Sequence, residues 1–165
     1  TGAALQAAGG PTGAGAWGMA CAQGVWEGTE QVAPAPGNGF AAARVLAASR
    51  SIGGAIVAMA ADELMQCGLP FDRLHLLLVP AGATPDAGTQ RPLPPGLWQL
   101  LLPHVDGAIV CAGRHAPILA TVGAPPPAAA LQIVDDTDAR LVSAAAPLLA
   151  NLPDVAAPMS CGTPP

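Results

Sequence analysis

The sequence predicts an α/β domain built on a mainly parallel sheet, and three observations lead to this fold class. Residues 73–79 (R-L-H-L-L-L-V) form a near-continuous apolar run, which is typical of a parallel strand covered on both faces. Residues 107–110 form a second short apolar run, and residues 96–104 between them have helical spacing. A strand, a connection that contains a helix and a second strand make a βαβ unit, in which the two strands are parallel.

Composition limits the classes of protein to which the chain can belong. Its 165 residues fit one domain with a real core. Charged residues make up 10% of the chain, against about 25% in a typical soluble domain. The chain is therefore either rich in small residues throughout or buries much of its surface against other protein subunits. A net charge of −5 with scattered arginines argues against nucleic-acid binding, and charges interrupt every long apolar run, so we expect no membrane span.

The first half of the chain is predicted to contain one strand and two helices. Residues 16–22 are expected to form the first strand, and residues 24–30 a turn in which glycines bracket an aromatic residue and two acids. Asn38 is expected to cap a helix over residues 39–50. A Gly-Gly pair then precedes a second helix, predicted over residues 56–67 and ending at a glycine.

The second half is predicted to end in a hairpin and a helix. Residues 130–134 and 140–142 flank an aspartate-rich stretch, which predicts two strands joined by a turn. Residues 145–152 are predicted to form the last helix. The Gly/Ala-rich residues 1–14 and the Pro-rich residues 153–165 are expected to be tails on either side of a single domain.

Cys111 is the candidate nucleophile, because it lies where an apolar strand gives way to small residues and then to a helical pattern. Such a turn exposes a side chain at a strand end, and a helix N-terminus favours the thiolate over the thiol. The alternative is a buried cysteine with only a packing role. His115, one helical turn further on, is a candidate base for this thiol.

The four cysteines are far apart and form no C-x-x-C pair, which argues against a zinc site. We therefore expect no metal and no other cofactor. The spacing and the length of the chain also favour a reducing compartment over a disulfide-stabilised fold.

Four segments, in chain order, resemble the ElbB-like branch of the class I glutamine amidotransferase-like (PfpI-type) superfamily. The first, G-V-W-E-G-T-E, resembles that branch's G-V-Y-D-G-[ST]-E, and the third, which ends in L-L-V-P-A-G, resembles its L-I-[VI]-P-G-G. The segments are residues 24–30, 44–54, 71–82 and 133–144. The resemblance spans about residues 17–152.

This resemblance implies a three-layer, flavodoxin-like sandwich with a nucleophile-elbow cysteine. It further implies a glutathione-independent, glyoxalase-type site in which Cys111 attacks a small dicarbonyl such as methylglyoxal. Glu30 falls on the acid that assists the thiol in relatives, and the backbone N–H groups of Gly82 and Ala112 fall on the oxyanion site. The alternative for Glu30 is an exposed loop acid.

The chain also departs from the family pattern around the expected site. Pro-Gly-Gly is replaced by Pro80-Ala81-Gly82, and Arg114 follows the candidate nucleophile closely. Two stretches of the family are missing, one after residue 30 and one after residue 123. We therefore expect a non-catalytic or weakly active structural subunit of a larger assembly, in an organelle such as the mitochondrion. The alternatives are a glyoxalase-type enzyme and a redox or metabolite sensor built on Cys111.

Overall fold

Seven strands in two sheets and five α-helices make up the part of the chain that the structure describes. The computed structural model describes residues 16–81, 92–123, 129–135 and 137–150. The strands are β1 (Ala16–Cys21), β2 (Gly24–Glu27), β3 (Glu30–Pro34), β4 (Ile52–Val57), β5 (Leu74–Val79), β6 (Val105–Ala112) and β7 (Ala130–Val134). The helices are α1 (Gly39–Ala47), α2 (Ala61–Cys67), α3 (Pro95–Leu101), α4 (Ala116–Val122) and α5 (Asp138–Ala150).

The four-stranded sheet has the order β3-β2-β1-β4. Its first three strands form an antiparallel meander, and β4 pairs parallel to β1. Helix α1 covers one face, where Leu46 packs so closely over Gly18 that a Cβ at position 18 would contact its side chain. The buried core of this sheet is small, with Ala20, Val25 and Ala42 beside Leu46.

Two side chains fix the start of the helices near this sheet. Asn38 caps α1, because its Oδ1 accepts a hydrogen bond from the N–H of Ala41 at 2.8 Å. Glu63 joins α1 to α2, since its carboxylate accepts from the N–H of Gly39 at 3.1 and 3.2 Å and from the N–H of Ala60 at 3.3 Å. The carboxylate of Glu63 therefore accepts hydrogen bonds from backbone N–H groups at the start of both α1 and α2.

The three-stranded sheet has the order β5-β6-β7 and is parallel throughout. Successive residues of β6 point to opposite faces. On one face, Ile109 and Cys111 pack in a core with α3 and α4. On the other face, Val110 and Ala112 pack against α5. Helices therefore lie on both faces of this sheet, which confirms the predicted α/β class with a mainly parallel sheet.

Helix α5 contacts both sheets. Ala145 and Leu149, both buried, pack with Trp17 of β1 and Ile56 of β4 as well as with Leu78 of β5. The single helix therefore ties the four-stranded sheet to the parallel one.

Several sequence predictions are confirmed by these elements. The first strand, the strands at residues 73–79, 107–110 and 130–134, and the helix at residues 96–104 all appear, the last ending in a 3₁₀ turn. Helix α1 starts after Asn38 as predicted and ends at Ala47. The predicted tails, residues 1–14 and 153–165, lie outside the described residues.

Two predictions are wrong, and a third is right only in part. The helix predicted over residues 56–67 forms over residues 61–67 as α2 and ends at Gly68 as predicted, but Ile56 and Val57 belong to β4 because they continue its pairing with β1. The predicted turn over residues 24–30 is mostly β2 and β3, with Gly28 at positive φ between them. Residues 140–142 are part of α5 and not a strand, so no hairpin forms there.

Candidate functional site

Cys111 lies in the middle strand of the parallel sheet, one residue before β6 ends. In register it is opposite Val79 on one side and Ile133 on the other. Its side chain is completely buried in an apolar core that includes Trp98 and Leu119. The strand, a 3₁₀ turn and α4 follow one another as the sequence predicts, yet Ala112 has ordinary extended backbone at φ −66° and ψ 147°.

Burial makes this thiol a weak acid. Desolvation raises the pKa of Cys111 from its ordinary value of 9.0 to about 11, and no neighbouring charge or hydrogen bond contributes to the shift. At pH 7 roughly one thiol in ten thousand is then ionised. Because the thiolate is the nucleophile, the resting arrangement around Cys111 suppresses nucleophilic chemistry.

His115 is buried beside the same core, and both of its ring nitrogens have hydrogen-bond partners. The N–H of Leu93 donates to Nδ1 at 3.3 Å, so this nitrogen carries no proton. The ring proton is therefore on Nε2, which donates to the carbonyl oxygen of Pro80 at 3.2 Å. The ring also meets Trp98 edge to face, with 5.8 Å between centroids.

These contacts give His115 a structural role. The imidazole joins the end of β5 to the residues that lead into α3, and the lone pair that a general base would use already accepts a hydrogen bond. The sequence identified His115 as a candidate base. It gave no signal for the hydrogen-bond partners of the ring, because Leu93 and Pro80 are distant from His115 in the sequence. Its proposed role as a base for Cys111 stays a prediction.

Glu30 occupies a different environment. It is the first residue of β3, the outer strand of the four-stranded sheet, and its side chain is exposed. In the hairpin it is opposite Glu27. Among the described residues no hydrogen bond or ion pair joins Glu30 to the parallel sheet, and the buried core around Cys111 consists of apolar side chains.

The two residues predicted to form the oxyanion site are Gly82 and Ala112. Gly82 lies outside the described residues. Ala112 is the last residue of β6, and its side chain is buried in a cluster with Leu141 of α5. Two of the five predicted site residues, Cys111 and Ala112, are adjacent in β6. Their side chains point to opposite faces of the sheet.

Sequence reasoning missed a polar cluster on the four-stranded sheet. Ser51 Oγ donates to Glu27 Oε2 at 2.6 Å, and the hydroxyls of Ser49 and Ser51 are 2.8 Å apart. These hydrogen bonds lower the pKa of Glu27. The motif over residues 24–30 drew attention to Glu30, while Glu27 in the same motif holds the hydrogen bonds.

Two comparisons with known proteins found no match for this chain. No protein-family model matches it, and no curated protein is significantly similar to it.

In the described ranges, no three His, Cys, Asp or Glu side chains cluster as metal ligands would. No helix among the described residues has the length and apolarity needed to cross a bilayer.

Proposed function

We propose that this chain is a shortened ElbB-like domain that serves as a non-catalytic structural subunit of a larger assembly, in an organelle such as the mitochondrion. In this proposal the fold is a three-layer, flavodoxin-like sandwich, and the turn at Cys111 is the remnant of a nucleophile elbow. The helices on both faces of the parallel sheet support such layering.

The observation that carries the proposal is the complete burial of Cys111. Small neighbours at an elbow normally leave the nucleophile open to substrate. Here the thiol is packed among apolar side chains and its pKa is raised to about 11. The acid that would assist it, Glu30, is exposed on the other sheet. A dicarbonyl therefore has neither an ionised sulfur nor an adjacent acid in the resting molecule.

Two further observations support a role in an assembly. Charged residues are only 10% of the chain. Five large apolar side chains are exposed among the described residues: Val32, Val45, Met65, Leu131 and Ile133. Such side chains are suited to burial against other protein subunits.

Turnover of methylglyoxal by the purified chain, compared with its Cys111→Ser variant, tests the absence of catalysis. We expect no turnover above the buffer rate from either protein. Turnover by the wild-type chain that the Cys111→Ser variant loses would overturn the proposal and establish the glyoxalase-type alternative.

The structural role is tested in extracts of the native source. We expect the chain to migrate in size-exclusion chromatography with a mass well above that of one or two copies, and to keep constant stoichiometry with its partners across the peak. Migration at the mass of the chain alone would contradict a role as a subunit.

A further inference from the structure

The parallel sheet has two edge strands, β5 and β7, and β7 is the more exposed of the two. Rows of apolar side chains cross the three strands in register, one through Leu77, Ile109 and Leu131 and one through Val79, Cys111 and Ile133. The side chains on β6 are fully buried, whereas Leu131 is 38% exposed and Ile133 is 50% exposed. Both rows thus end in exposed apolar side chains at the edge of the sheet.

The main chain of β7 is also open on this side. Among the described strands, β7 pairs with β6 and with no other, which leaves a row of peptide groups facing away from the sheet. Unpaired edges are usually protected by charge, proline or a bulge. The strand A-L-Q-I-V contains no charged residue and no proline. Its pairing with β6 is regular from Ala130 to Val134, without a bulge.

An edge strand of the four-stranded sheet, β3, is a useful contrast. β3 begins with Glu30, ends with Pro34 and has a register irregularity against β2. All three features discourage pairing with another strand. An exposed apolar residue is present in both edges, so exposure alone does not distinguish them. Unlike β3, β7 offers an unprotected main chain together with apolar side chains.

We infer that β7 pairs with β7 of a second copy of this chain, antiparallel and about a two-fold axis at Gln132, to form a continuous six-stranded sheet. A second copy fits because the strand is complementary to itself in this register. Leu131 faces Ile133 of the second copy, and Ile133 faces its Leu131, on the same face. Gln132 faces its own equivalent on the other face, where it is also exposed.

Charge does not oppose this pairing. The strand itself is neutral, and the nearest described charge is Asp135, one residue beyond it. In the antiparallel register the two copies of Asp135 lie at opposite ends of the interface, roughly 20 Å apart at about 3.4 Å per residue. This separation exceeds the Debye length of about 8 Å at physiological salt.

This inference rests on the proposed function, since it names one partner of the structural subunit. Five residues make a short edge, so we expect a dissociation constant in the micromolar range. Sedimentation equilibrium of the purified full chain over a range of concentrations should show a monomer–dimer equilibrium. Ile133→Lys should raise the dissociation constant at least about tenfold, which is 1.4 kcal/mol.

Val32→Lys and Met65→Lys are the matched controls. Both place the same charge at exposed apolar positions, 46% and 56% exposed, and both should leave the dissociation constant unchanged. A wild-type chain that stays monomeric at all concentrations overturns the inference. So does a dimer that Ile133→Lys leaves intact or that the control substitutions weaken equally.

A cross-link tests the register without placing a charge in the strand. In a background with Cys21, Cys67 and Cys161 replaced by serine, Gln132→Cys should form a disulfide-linked dimer under mild oxidation, because position 132 is opposite itself. Ala130→Cys should not, because it is opposite Val134. Equal cross-linking of the two variants, or none from Gln132→Cys, overturns the inference even if Ile133→Lys fails to fold.

The outcome is separable from that of the proposed function. A chain that is monomeric alone but part of a larger native complex overturns the β7 pairing and leaves the proposed function intact. A dimer that forms through β7 and shows Cys111-dependent turnover would overturn the proposed function and leave the β7 pairing intact.

Discussion

The two sheets of this molecule differ in how they are covered. The parallel sheet has helices on both faces and contains the candidate thiol, Cys111, in its core. The four-stranded sheet has one helix of its own, a buried core of four residues and an outer strand on which Glu30 is exposed. Catalysis by a thiol and an acid requires both groups in one accessible pocket, and the sheets place them in opposite environments.

The pKa values of two titratable groups show the same contrast. Burial in the parallel sheet raises the pKa of Cys111. Hydrogen bonds from Ser51 and Ser49 lower the pKa of Glu27 on the four-stranded sheet. Burial therefore favours the neutral thiol of Cys111, whereas hydrogen bonds favour the ionised carboxylate of Glu27.

Equal truncations in the two cores should have unequal effects. Leu101→Ala should lower the free energy of unfolding by about 4 kcal/mol, because Leu101 is surrounded by large side chains that cannot fill the cavity. Leu46→Ala should lower it by about 2 to 3 kcal/mol, because its core is small and is made mostly of alanine and valine. Urea unfolding of both variants measures the difference, and equal losses would remove the proposed asymmetry.

Loss of the His115 ring should destabilise the fold. His115→Phe leaves the N–H of Leu93 and the carbonyl oxygen of Pro80 without the ring as a partner, at a cost of about 2 to 4 kcal/mol. The control is His104→Phe, which removes one hydrogen bond to Asp72 at an exposed site and should cost less than about 1 kcal/mol. If His115→Phe were as stable as the control, the ring would not have the structural role assigned to it.

Alkaline pH should weaken the parallel sheet through Cys111. Its folded pKa is raised above the unfolded value, so its stabilising contribution is complete below pH 9 and is lost as pH rises towards 11. The wild-type chain should lose about 2 to 3 kcal/mol more than Cys111→Ala between pH 8 and pH 11. Unfolding of both proteins across this range measures the loss, and Cys67→Ala, at an exposed cysteine, should behave as wild type.

The smallest effect should be at Glu27. Ser51→Ala removes its strongest hydrogen bond and should raise its pKa towards the ordinary value of 4.5. Because the folded pKa is lowered, the contribution of this group is present above that ordinary value and is lost as pH falls through the folded pKa. NMR titration of the carboxyl carbon measures the shift. Ser143→Ala, at an exposed serine of α5, should leave it unchanged.

The sequence predicted the β5–α3–β6 unit of the parallel sheet because its two strands are strongly apolar and the unit is local, whereas β7 was predicted as a hairpin strand. The predictions failed where tertiary pairing decides the structure. In β4, Gly54 allows the ring of Trp17 to lie close to the backbone, and pairing with β1 makes a strand of Ile56 and Val57, which were predicted to start a helix. The aspartate-rich stretch before residue 139 starts α5, where the N–H of Leu141 bonds the carbonyl oxygen of Thr137.

The candidate site shows the same division. The strand-to-helix turn after Cys111 was predictable from small residues and helical spacing. The sequence left open whether its thiol is exposed or buried, because burial depends on Trp98 and Leu119 packing over the strand from elsewhere in the chain. Likewise, no local pattern distinguishes Glu27, which accepts a hydrogen bond from Ser51, from the exposed Glu30.

The rate at which a small alkylating reagent modifies Cys111 in the native chain, measured residue by residue with mass spectrometry from pH 6 to pH 10, tests the central claim most directly. Cys67, which is exposed, is the internal reference. We expect Cys67 to be modified in the native chain, whereas Cys111 should react only when denaturant unfolds the chain. Modification of Cys111 as fast as that of Cys67, with a midpoint below pH 8, would contradict it.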